Sequence, residues 1–164
     1  FGKFSIIYRN KIPENINKVK RFRLDCKSKK IPLIVANNIN LMRAIKADGL
    51  YISAHNKKLN LRNFKKDLEV IGGAHNFKEI KQKKFQGCSE ILLSRLFKTS
   101  YKYKKGFMGV VKFNLFSKLI GTSLTPLGGI NFKNLNKLKN VNCENIALSS
   151  LIIDKAYQAQ KVLK

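Results

Sequence analysis

The chain has 164 residues, with 34 Lys and Arg against 9 Asp and Glu, a formal charge of +25 at pH 7 and 44% hydrophobic residues. That apolar fraction can bury a core and excludes uniform disorder, and the length suits one domain over 1–164 rather than two. No run approaches 18 apolar residues, which excludes a membrane-spanning helix, and the first residues do not follow a leader pattern.

Short β-rich runs alternate with helical patterns, which predicts βα units around a parallel sheet. The first strand is expected over Phe4–Arg9. In Glu14–Ser28 the residues Ile16, Val19, Phe22 and Cys26 recur every three or four positions, predicting a helix with one apolar stripe. Ile31–Asn37 is nearly continuous in apolar residues, as suits a strand covered on both faces, and Leu50–Ser53 and Val70–His75 read as the third and fourth strands. Asn76 is an expected N-cap for a helix over Phe77–Lys84, with Glu79 placed to complete a capping box. After the fifth strand, Glu90–Arg95, a wide gap holds the basic, hydroxyl-rich loop Lys98–Gly106 and a helix near Phe113–Leu119. Strands over Ser123–Gly128 and Asn145–Ser150 and a helix over Leu151–Leu163 complete the pattern. Seven βα units imply either an open sheet or an eight-stranded barrel with one unit absent.

The charge has a compositional reading and a functional one. Lysine, asparagine and isoleucine make up 62 of the 164 residues, the bias of a genome rich in A and T. The lysines are spread through the chain without the aromatic interleaving of a stacking platform, so nucleic acid is not the expected partner. A positive field does raise the local concentration of small phosphorylated substrates. Cys26, Cys88 and Cys143 are odd in number and far apart, which signals neither a disulfide framework nor a zinc site and predicts buried free thiols in a soluble, cytoplasmic protein.

Chemistry in α/β folds gathers at the carboxyl ends of the strands. Standing there are Arg9-Asn10-Lys11, then Asn37-Asn38, Asn56, His75, Thr99 with Lys102, Gly128-Gly129-Ile130-Asn131, and Ser149-Ser150. Glycines let backbone N–H groups approach a phosphate, and serine hydroxyls add donors, so Gly128, Gly129, Ser149 and Ser150 together predict a phosphate site after the last two strands. Arg9 and Lys11 offer a second anion site. His75 is either a proton carrier or a structural histidine, and His55 reads as a surface residue. Asp48, Asp67, Glu69, Glu79 and Glu90 do not line up at the strand ends, so no hard-cation site is visible.

In their order, these motifs resemble the thiamine phosphate synthase family and the related thiazole tautomerases. Ile7-Tyr8-Arg9-Asn10-Lys11 is similar to a family strand ending in R-E-K, and Pro32 to Leu41 resembles P-L-I-I-N-D-D. Ala47-Asp48-Gly49-Leu50-Tyr51-Ile52 is similar to A-D-G-V-H-L, Ile71 to His75 to I-G-x-S-A-H, and Gly128-Gly129-Ile130-Asn131 to the closing G-G-I-N.

The resemblance implies a (β/α)8 TIM barrel, here lacking its first βα unit, that joins hydroxymethylpyrimidine pyrophosphate to thiazole phosphate and releases pyrophosphate. Carried over by position, Arg9, Lys11 and Lys102 would hold the leaving pyrophosphate, with Lys102 and His75 as the catalytic candidates. Asn37 would face substrate, Thr99 would lie near the thiazole phosphate, and Gly128, Gly129, Ser149 and Ser150 would bind it. The chain departs from the family at the metal end: N-D-D becomes Ala36-Asn37-Asn38 and the Asp of Q-E-D becomes Asn56, so neutral amides stand at both positions of the Mg2+ carboxylates. Gly73 stands where the family has Ser, and Tyr101 where it has the second Thr of T-x-T-K. The expectation is therefore a phosphate-ester-binding member with weak or no Mg2+-dependent synthase activity. The alternatives are a tautomerase using His75 or a non-catalytic ligand-binding paralogue. If one unit is absent, the open sheet edge favours pairing with a second copy, so a homodimer is expected.

Overall fold

A computed structural model describes residues 4–10, 15–61, 68–99 and 106–149. Six parallel strands form one sheet, each beside the next in chain order: β1 (Ile6–Tyr8), β2 (Leu33–Ala36), β3 (Gly49–Ile52), β4 (Glu69–Ala74), β5 (Glu90–Ser94) and β6 (Ser123–Leu127). Sequential parallel neighbours joined by crossovers curl the sheet into a half-barrel with helices outside. The helices are α1 (Ile16–Ser28), α2 (Ile39–Ala44), α3 (Phe77–Phe85) and α4 (Gly109–Ile120), followed by a 3-10 helix over Phe132–Asn140. No helix among the described residues is long and apolar enough to cross a membrane.

The larger core lies between sheet and helices, where Leu33, Val35, Leu50, Ile52, Val70, Ile91, Leu93 and Leu124 meet Val19, Ile80 and Phe113. The two-residue period of a strand sends the alternate side chains to the other face. There Ile34, Tyr51, Ile71 and Leu92 form a smaller cluster. Pairing Ile7↔Ile34, Ala36↔Tyr51, Tyr51↔Ile71 and Gly73↔Leu92 holds these concave-face residues in register. At the amino ends, Asp48 accepts from Arg23 Nη1 and Nη2 and from the Leu33 N–H, each at 2.7 Å, tying α1 to β2.

Three expectations change. The predicted seventh strand, Asn145–Ser150, is represented among the described residues by one parallel bridge, Leu127↔Ala147; with β6 as its only neighbour there, the ladder goes no further. The capping box at α3 is shifted: Asn76 Oδ1 accepts from the Glu79 N–H at 2.9 Å, but Glu79 Oε2 returns to the N–H of His75 at 2.8 Å rather than to that of Asn76. Cys26 and Cys88 are buried free thiols as expected, whereas Cys143 is partly exposed because it lies in irregular chain after the 3-10 helix. The helix expected over Leu151–Leu163, and all of Lys98–Gly106 except Lys98, Thr99 and Gly106, lie outside the described residues.

Candidate active site

Strand parity assembles the site. Arg9, Tyr51, Gly73, His75, Ser94 and Leu127 stand an even number of residues from their strand's concave-face positions, so they share the inner face at the carboxyl ends, and Gly129 follows in the turn after β6. Sequence reasoning names Arg9, His75 and Gly129 here and misses Tyr51 and Ser94. Lys11, Lys102 and Ser150 lie outside the described residues.

At the β5–β6 side the site is mostly backbone. Gly128 and Gly129 have φ of +92° and +74°, conformations that favour glycine. The turn is pinned by Leu96 N–H to Leu127 O at 3.0 Å and Phe97 N–H to Gly128 O at 3.1 Å, and a Cβ on Gly129 would collide with the Phe97 carbonyl. Asn131 and Asn134 cap the 3-10 helix, and both side-chain amides donate to Gly129 O, at 3.3 and 2.8 Å. Arg95, also missed in the sequence, brings a guanidinium beside this turn: its Nη1 donates to Thr99 Oγ1 at 3.3 Å and its side chain packs along Gly128. Ala147 bridges to Leu127 at the end of β6, and Ser149, two residues further on, is exposed. Glycine backbone, the planar cation of Arg95 and the Thr99 hydroxyl thus stand together ahead of the 3-10 helix, groups of the kind that bind anions.

In the middle, His75 Nδ1 lies 2.7 Å from Ser94 Oγ, and Nε2 has no hydrogen bond among the described residues. His55, read from the sequence as a surface residue, is exposed, yet its ring centroid is 6.0 Å from that of His75. The signal missed was its place one residue before Asn56 at a strand end.

At the β2–β3 side the amides bind each other. Asn37, with φ of +58°, accepts through Oδ1 from the Ser53 N–H at 2.9 Å and from Asn56 Nδ2 at 3.2 Å. Asn56 Oδ1 accepts from the N–H groups of Lys58 and Leu59, both at 3.2 Å. Backbone donors fix which atom of each amide is oxygen, and both oxygens are engaged. Beneath them the fully buried Lys83 donates from Nζ to Asn56 O at 2.8 Å and Gln86 Oε1 at 2.7 Å. Neutral, occupied oxygens above a buried ammonium do not fit a magnesium ion, which takes anionic oxygen ligands, and the described residues contain no cluster of three potential His, Cys, Asp or Glu ligands.

The fold and this arrangement define the class: a parallel α/β half-barrel whose polar groups gather at the carboxyl ends of its strands. A family model for thiamine monophosphate synthase matches residues 2–152, and the chain belongs to that family. It is 29% identical over 174 aligned positions to a thiamine-phosphate synthase of Prochlorococcus marinus, covering 99% of this chain and 49% of that protein. It is 24% identical over 127 positions to one from Clostridium tetani, covering 76% and 61%. Thus it spans about half to three fifths of the length of these curated relatives. A solved structure described as thiamine phosphate pyrophosphorylase from Pyrococcus furiosus shares the fold, with a TM-score of 0.71 at 15% identity, over 90% of this chain and 73% of that one.

Proposed function

We propose that this protein is a thiamine phosphate synthase-type transferase in which phosphate-ester recognition is retained and metal-assisted turnover is weak or lost. The observation that carries the reading is the contrast between the two ends of the site: a Gly128–Gly129 turn bordered by Arg95 and Thr99, against the hydrogen-bonded amides of Asn37 and Asn56. Thiazole phosphate is read as binding at the glycine turn. Hydroxymethylpyrimidine pyrophosphate is read as lying toward Arg9, with Lys11 and Lys102 as further cations on its pyrophosphate. In the reaction the bond from the pyrimidine methylene to pyrophosphate oxygen breaks, the electron pair leaves with pyrophosphate, and the thiazole nitrogen forms the new bond. Cations around the leaving group and a fixed approach of the ring nitrogen are what the residues contribute.

The six strands and the bridge at Ala147 are read as seven units of a (β/α)8 barrel, and the three free thiols suit a reducing cytoplasm. Pyrophosphate release from the two substrates, with and without Mg2+, tests the proposal: thiazole phosphate binding with slow or no release is expected, and robust Mg2+-dependent turnover refutes it. The second reading, proton transfer by His75 as in a tautomerase, is favoured by its Nδ1 contact with Ser94 and by an Nε2 that has no hydrogen bond among the described residues. Unchanged tautomerisation by His75→Ala would dismiss it.

A further inference from the structure

One polar atom interrupts the apolar concave face. Tyr51 packs with Ile34, Ile71 and Leu92 and is 8% exposed, and its Oη makes no hydrogen bond among the described residues. A buried phenol ordinarily finds a partner, because an unsatisfied hydroxyl is costly. The oxygen is not sealed, since no fully buried side-chain oxygen or nitrogen among the described residues lacks a partner, so Tyr51 Oη keeps contact with solvent at the floor of the site.

The position of that oxygen follows from Gly73, one strand over. A Cβ on Gly73 would collide with Tyr51 Oη and stand 3.0 Å from Cζ and 3.3 Å from the Ala54 nitrogen, so Tyr51 fills the space a side chain at 73 would take. The family motifs have His at the position of Tyr51 and Ser at that of Gly73. The two departures are therefore one exchange: the hydroxyl absent from position 73 is present at the tip of a longer side chain reaching across from β3. Arg9 acts on the same phenol, for burial pushes its pKa up and the guanidinium pulls the other way.

We propose that Tyr51 Oη is a ring-recognising group of this site, hydrogen-bonding a polar atom of a flat heterocycle whose anionic tail lies at Arg9. Apolar Ile34, Ile71 and Leu92 beneath the phenol suit a ring rather than a sugar. The inference deepens the reading above, on which the heterocycle is the pyrimidine of the pyrophosphate ester.

Calorimetry on the whole chain with hydroxymethylpyrimidine pyrophosphate and with inorganic pyrophosphate tests it. Tyr51→Phe keeps the ring and should weaken the ester about tenfold while leaving inorganic pyrophosphate within about twofold. Equal ester affinity in wild type and Tyr51→Phe overturns the proposal and leaves the substrate reading standing. A wild type that takes inorganic pyrophosphate but not the ester sinks the substrate reading and the proposal with it. Melting temperatures check the exchange independently of ligand: Gly73→Ser should be destabilised, and Tyr51→His in the same chain should restore most of the loss. A Gly73→Ser variant as stable as wild type overturns the shared-space argument.

Discussion

Gly128 and Gly129 are neighbours with similar backbone conformations, yet alanine should be far more damaging at the second. Both have positive φ, where a side chain costs about 1–2 kcal/mol. At Gly128 an added methyl meets Arg95 Cγ at 3.1 Å and Cβ at 3.3 Å, a side chain that gives by a few tenths of an ångström. At Gly129 it strikes the Phe97 carbonyl and stands 2.7 Å from Lys98 O, both backbone. Relief there means moving a segment held by Leu96 N–H to Leu127 O and Phe97 N–H to Gly128 O. At about 0.5–1.5 kcal/mol net for each bond, the excess cost at Gly129 is about 2 kcal/mol. With a urea slope of about 1–3 kcal/mol per molar, the Gly129→Ala midpoint should lie about 1 M below that of Gly128→Ala at unchanged slope. Thiazole phosphate affinity should fall in the same order. Coincident midpoints, or a larger loss in Gly128→Ala, would show that the turn does not rest on the Phe97–Lys98 backbone.

Lys83 is fully buried with neutral hydrogen-bond partners, and burial lowers its pKa below the ordinary 10.5, partly opposed by Cys88 and Glu79. The folded state gives up that proton before the unfolded state does, so its contribution to stability rises with pH between the lowered value and 10.5 and is lost as pH falls through the lowered value. The stability difference between wild type and Lys83→Met should therefore grow in favour of wild type toward pH 10.5, by at most about 1.4 kcal/mol per pH unit, and a difference flat from about pH 7 upward refutes the assignment. Restoring carboxylates with Asn37→Asp and Asn56→Asp should create a melting temperature that rises with Mg2+, while wild type stays unmoved; equal shifts in the two would contradict the reading of the amides. Asp48→Asn should cost about 1–2 kcal/mol in denaturant titration, discounted for the partly exposed Arg23 pair, and leave ligand affinity unchanged because Asp48 sits at the amino ends of the strands.

The strands were readable because each is a short apolar run between turn residues, and Phe4–Arg9 or Glu90–Arg95 bracket β1 and β5 closely. Helices with a weak apolar stripe were not. In α2 Met42 is the only buried residue, and in the 3-10 helix none is, so periodicity has little to report. Helix α4 starts at Gly109, ahead of the expected Phe113, because Val110 and Val111 read as strand formers and Val111 is 85% exposed. In the site, Gly128–Gly129 announced itself because a glycine pair has few uses besides a turn. Tyr51 did not, since an aromatic residue inside a strand reads as core, and only the neighbouring Gly73 turns it into a floor group. Arg95 was absorbed into the end of its strand. Its approach to Thr99 and Gly128 depends on how the chain leaves β5, which strand periodicity does not encode.

The two ends of the site also differ in what a substitution costs. The glycine-turn end is written in backbone: altering Gly129 forces a collision with the chain after β5, so a change there harms folding first. The β2–β3 end is written in half-buried side chains, whose amide oxygens accept from the backbone N–H groups of Ser53, Lys58 and Leu59. Asn in place of Asp at 37 keeps an acceptor for the Ser53 N–H, and Asn in place of Asp at 56 adds the Nδ2 donor that pairs with Asn37 Oδ1, so two carboxylates become two amides with both amide oxygens satisfied. Two amides so placed avoid the repulsion of two neighbouring anions. The buried Lys83 beneath Asn56 is held by two neutral oxygens, which leave its charge uncompensated at a cost to the fold. Asn37 and Asn56 thus present neutral oxygens, already engaged, above a buried lysine, an arrangement that disfavours a divalent cation.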